Sequence, residues 1–76
     1  MASLKLLRLI DAAVSGDVEA AEALGEGYMK GEFGGQINLE KAYKWSMYAA
    51  KHGSERALVM LEELKRTGFM NGKLFQ

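Results

Sequence analysis

The stretch GDVEAAEALGEGYMKG, residues 16–31, returns in altered form as GSERALVMLEELKRTG, residues 53–68. Gly16, Ala20, Leu24 and Gly31 stand at offsets 0, 4, 8 and 15 of the first copy, and Gly53, Ala57, Leu61 and Gly68 stand at the same offsets of the second. The copies are 53 − 16 = 37 residues apart. A period in the thirties, with apolar residues at helical spacing, predicts helical hairpins that cannot bury their apolar faces alone and stack on one another. The residues before each copy repeat as well: Ala12 and Ala13 precede Gly16 as Ala49 and Ala50 precede Gly53.

Working outward, the nine glycines and the lack of proline punctuate four helices. The first runs from about Ser3 to Ser15 and stops at Gly16. The second follows the N-cap Asp17 and ends near Lys30. The third follows Asn38, reaches about His52 and stops at Gly53. The fourth follows Ser54 and ends near Thr67 and Gly68. Between the second and third lies a glycine-rich loop, residues 31–37, expected to use left-handed backbone angles. Glu40 with Lys44 and Glu62 with Arg66 are i,i+4 pairs in the favourable order. No strand pattern is visible, and residues 69–76 read as a tail carrying Phe69, Met70, Leu74 and Phe75. The fold class expected is all-α: a four-helix α/α solenoid fragment in the order B-A-B-A. One full repeat covers about 17–53, half repeats cover about 3–16 and 54–68, and residues 1–76 form one domain.

At 76 residues the chain buries only about 60% of its unfolded surface, leaving a stability on the order of 5 kcal/mol. Ten basic and ten acidic side chains cancel, which argues against a nucleic-acid partner. Lys51, His52, Lys65, Arg66 and Lys73 read as solvated helix ends. No apolar run approaches the ~18 residues of a membrane span. Lys5, Arg8 and Asp11 interrupt what would otherwise resemble a signal peptide in residues 1–14, so a cytoplasmic location is expected, with no membrane partner.

The parts of an active site are missing. There is no cysteine, and the single histidine, His52, falls at a helix end beside Gly53. His52 reads as a solvated helix-end cation rather than a base or ligand, and one histidine without cysteine argues against a tetrahedral zinc site. An enzyme is the minor rival, which a deep pocket lined by several carboxylates would revive. Glu62 and Glu63 are adjacent and diverge by about 100° on a helix, a poor carboxylate pair. The Gly31–Gly35 segment has no Lys-Ser or Lys-Thr after it, so it does not read as a phosphate cradle. The expectation is no cofactor, no metal and no catalysis.

Ala20, Leu24, Gly25, Tyr28 and Gly31, then Asn38, Lys41, Ala42, Trp45, Ala49, Ala50 and Gly53, follow a recognisable order. Together they resemble the Sel-one-like repeat family, a branch of the tetratricopeptide-like α/α solenoids, over about residues 12–68. The loop is one residue longer than the family's. The second copy has Glu62 where the family has glycine and Lys65 where it has tyrosine, as suits a terminal helix. The resemblance implies protein–protein adaptor or scaffold work without catalysis.

Read physically, Ala20, Ala42, Ala49, Ala50 and Ala57 are small where helices approach closely, Leu24, Leu61 and Leu64 fill space, and Tyr28 and Trp45 are large core anchors. Leu6, Leu9, Ala12 and Ala13 face the core, leaving Leu7, Ile10 and Val14 as a second stripe on the first helix. That stripe must be covered by the tail, a second copy or a partner. Met29, Phe33, Met47 and Tyr48 are further apolar residues outside the repeat's own needs, and the seven together form the expected partner-binding set. The function expected is a small protein-binding module, acting as adaptor, inhibitor or regulator of another protein. The alternative is a homodimer formed through the first helix.

Overall fold

The computed structural model describes residues 4–66 and the backbone of 69–70 and 73–74. Four helices follow in order: α1, Leu4–Val14; α2, Val18–Lys30; α3, Leu39–Lys51; and α4, Glu55–Arg66. Each boundary has a local cause. Asp17 caps α2, its Oδ1 accepting from the Ala20 amide at 3.2 Å, and Asn38 caps α3 in the same way through the Lys41 amide at 3.0 Å. Ser54 caps α4, its Oγ accepting from the Ala57 amide at 3.0 Å. Expected starts and stops at Ser3, Thr67 and Gly68 lie outside the described residues.

The 37-residue shift holds in the hydrogen bonds. After α1, Gly16 N–H donates to Ala13 O (3.0 Å) and Asp17 N–H to Ala12 O (3.0 Å). After α3, Gly53 N–H donates to Ala50 O (3.1 Å) and Ser54 N–H to Ala49 O (3.0 Å). These are two copies of one Schellman turn, built on the same Ala-Ala-x-x-Gly residues, with Gly16 at φ 107° and Gly53 at φ 97°. The loop after α2 also turns on glycines in the left-handed region, and it closes when the Asn38 amide donates to Tyr28 O at 2.9 Å.

α2 lies between α1 and α3, and α3 lies between α2 and α4. The core is Ala13 of α1, Ala20, Ala21, Leu24 and Tyr28 of α2, Ala42 and Ala49 of α3, and Ala57 and Met60 of α4. Its alanine content lets the helices approach closely, and the α2–α3 contact is the most extensive: within it Gly25 faces Ser46 with no room between them for a methyl group. Arg56 reaches back from α4 and donates from Nη2 to both carboxylate oxygens of Glu26 on α2, each at 2.8 Å. Ser54 adds a hydroxyl-to-carboxylate bond to Glu22.

The all-α class holds, with one correction. Residues 69–70 (β1) and 73–74 (β2), expected as tail without strand, pair as a two-rung antiparallel ladder, and β1 lies against α4. Strands of two residues carry no alternating pattern to read. The expected ion pairs also differ. Glu62 meets Lys65 at 3.8 Å rather than Arg66, Glu26 takes Lys30 at 3.3 Å, and Glu40 and Lys44 do not close.

Candidate functional site

On α3, Lys41, Lys44, Trp45 and Tyr48 follow at i, i+3, i+4 and i+7, so all four share one face. Ile10 from α1 and Tyr28 from the last turn of α2 complete an open groove of about 410 Å³. Its lining is one aliphatic side chain, three aromatic ones and two lysines, with no carboxylate.

The aromatic side chains are held in place. The Tyr48 hydroxyl donates to Ala13 O at 2.8 Å, bridging α3 to the end of α1. Its ring meets Trp45 edge-on (centroids 5.8 Å, 68°) and lies against His52 at 4.5 Å. Tyr28 is buried, and Phe33 from the loop packs edge-on to it at 5.0 Å. That arrangement needs a glycine at 27, because a Cβ there would stand 2.3 Å from the Phe33 ring. Lys41 Nζ lies 5.5 Å from the Tyr28 ring centroid, within the reach of a cation–π contact.

The expected partner-binding residues divide. Leu7 (51% exposed) and Val14 (63%) stand clear of the protein, and Leu4 (63%) joins them. Ile10 does not: it is half-buried against the core and lines the groove. The reason is angular, since Ile10 follows Leu6 by four residues and so sits only about 40° from it around the helix. Met29 and Phe33 are half-buried against their own core, Met47 is half-buried on α3, and Tyr48 serves both core and groove. Trp45, expected as a core anchor, is half-buried instead, because its face of α3 opens onto the groove. Of the remaining structural set, Ala20, Leu24, Gly25, Tyr28, Ala42, Ala49 and Ala57 are buried, Gly31, Ala50 and Leu61 are half-buried, and Gly53 is exposed in its turn.

Met60 and Ala21 are buried side chains that sequence reasoning missed, although the spacing of Met60 with Ala57 and Leu64 carries the signal. The groove was missed too. Its signal was the 41-44-45-48 face, obscured by assigning Trp45 inward and Ile10 outward.

Two further features bear on chemistry. Glu26 is held below the ordinary carboxylate range, first by its bond to Arg56 and then by that to Lys30. Among the described residues no cluster of three His, Asp or Glu side chains could hold a metal ion, and no helix is long and apolar enough to cross a membrane. No family model, curated protein or solved structure matches the chain.

Proposed function

We propose that this protein is a small non-catalytic binding module, an α/α solenoid fragment of B-A-B-A order that docks a segment of another protein. The observation that carries this reading is the groove across α1, α2 and α3, apolar on its floor, open to solvent and built from side chains already fixed by internal contacts. Rigid aromatic side chains lose little freedom on binding, which is why such surfaces suit recognition. The paired Schellman turns support the repeat reading and the likeness to Sel-one-like repeats. Adaptor, inhibitor or regulator are the roles that such a surface fits. The cytosol is its proposed compartment.

The test uses the chain's only tryptophan, Trp45, which lines the groove. Peptides selected from a displayed random library should shift its emission, and Tyr48→Ala should weaken their binding. Selected peptides that leave Trp45 emission untouched and bind the Tyr48→Ala protein equally well would refute docking at the groove.

A second reading is a homodimer through α1, favoured by the exposed Leu4, Leu7 and Val14. Light scattering after size exclusion decides it. A dimer that Leu7→Glu converts to monomer supports it, and a wild-type monomer at high concentration removes it.

A further inference from the structure

The groove's charges say more than its shape. Glu26 already engages Arg56 and Lys30, and Glu62 engages Lys65. Lys41 and Lys44 differ: among the described residues neither ammonium lies within ion-pair distance of a carboxylate, and Lys41 has only the Tyr28 ring face. Both are exposed, one helical turn apart, along the same rim of the groove. The chain as a whole is neutral, so this is a local basic edge rather than part of a general positive field.

Below that edge the floor is apolar: Ile10, Tyr28, Trp45 and Tyr48. A volume of about 410 Å³ takes one or two large side chains, so what sits in it is a short stretch of a partner, whatever the size of the protein that presents it. The occupant is therefore a chain segment that presents a greasy side chain and negative charge together. In an extended segment successive side chains point to opposite sides. An acid–apolar–acid triplet thus sends two carboxylates one way and the middle side chain the other. Lys41 and Lys44 stand about 5–6 Å apart at their Cβ atoms, close to the ~6.6 Å between alternate side chains of an extended segment, so each can take one carboxylate of the triplet.

Resting on the docking reading above, we propose that the groove binds an extended partner segment of the pattern acidic–aliphatic–acidic. The aliphatic side chain lies on the Trp45–Tyr48 floor, and the two side-chain carboxylates pair with Lys41 and Lys44.

The probes are four blocked peptides with one frame, bearing Glu-Leu-Glu, Gln-Leu-Gln, Glu-Ser-Glu or Lys-Leu-Lys at the centre. Trp45 emission and its indole N–H resonance report occupancy of the full chain. The Glu-Leu-Glu peptide should bind roughly fivefold or more tightly than the Gln-Leu-Gln peptide, an advantage that fades as salt is raised. In the double variant Lys41→Glu, Lys44→Glu the order should invert, with Lys-Leu-Lys now preferred. Both lysines are exposed, so this variant keeps its fold, which circular dichroism checks. Equal binding of the Glu-Leu-Glu and Gln-Leu-Gln peptides, or an order that the charge swap leaves unchanged, overturns the acidic inference and leaves apolar docking standing. Equal binding of Glu-Ser-Glu and Glu-Leu-Glu overturns it through the floor. If no peptide moves the Trp45 signals, this inference fails, and docking at the groove is decided separately by the library-selected peptides.

Discussion

Gly25→Ala is the substitution whose sign the structure decides. A Cβ at Gly25 would stand 2.7 Å from Ser46 Oγ, and 3.4 Å from Met60 Cε and from the Ser46 amide nitrogen. The first contact is too short to keep, whereas the other two sit at the edge of ordinary packing. Forcing a methyl into such a site costs about 1–3 kcal/mol. Replacing glycine by alanine inside a helix returns about 0.5–1 kcal/mol. The net loss expected is about 1–2 kcal/mol, or roughly 5–15 °C in Tm for a chain of this size.

Ser46 itself is fully buried, and its hydroxyl has no hydrogen-bond partner among the described residues. An unmatched buried polar group costs about 1–3 kcal/mol, so Ser46→Ala should stabilise the protein by about 1 kcal/mol. With the hydroxyl gone, the 2.7 Å contact disappears, and Gly25→Ala should then gain about 0.5 kcal/mol instead of losing stability. The coupling between the two changes is about 2 kcal/mol, well beyond the ~0.5 kcal/mol scatter of independent sites. Urea unfolding followed by helical circular dichroism measures all four proteins, with the dependence on denaturant unchanged across the set. If the two effects simply add, the account of the α2–α3 approach is wrong.

Three further outcomes are expected. Glu26→Gln should reduce stability at neutral pH and flatten its acid dependence. Because the folded carboxyl titrates lower than in the unfolded chain, its contribution is complete above the ordinary glutamate value and fades as pH falls through the lowered one. Thermal melts across the acid range read this, and Glu26 is partly exposed, so the effect is small. Asp17→Ala removes the α2 cap and should cost about 1 kcal/mol by urea unfolding, with Asp17→Asn close to neutral. Tyr48→Phe deletes the bond to Ala13 O, which should cost about 1 kcal/mol and shift the emission of the adjacent Trp45 as α1 loosens against α3.

The helix limits were legible because their causes are local. Asp17, Asn38 and Ser54 announce the starts of α2, α3 and α4, and Gly16 and Gly53 announce the ends of α1 and α3, each within a few residues of the event. Ala20, Ala42, Ala49 and Ala57 were legible for a related reason, since close helix approach leaves room for little else, whereas Ala21 was not singled out and Ala50 is only half-buried. The groove was not, because it depends on where α1 lies relative to α3. On a wheel drawn for α1 alone Ile10 falls between Leu6 and Leu7, about 40° from one and about 60° from the other, and only the packing decides its side: it turns toward Tyr28 and Tyr48 and leaves Leu4, Leu7 and Val14 outside. Trp45 illustrates the converse error. Its size and spacing suit a core, yet it ends half-buried, since its side of α3 is met by single side chains from α1 and α2 rather than by a full helix.

The twin turns at Gly16 and Gly53 have a practical corollary for construction. The segment from Asp17 to Gly53 starts after one such corner and finishes on its duplicate, so a gene encoding it twice in tandem would make every splice between surroundings the backbone already accepts. Length then becomes a variable that can be dialled in steps of one hairpin, with an additional Trp45 arriving in each inserted unit.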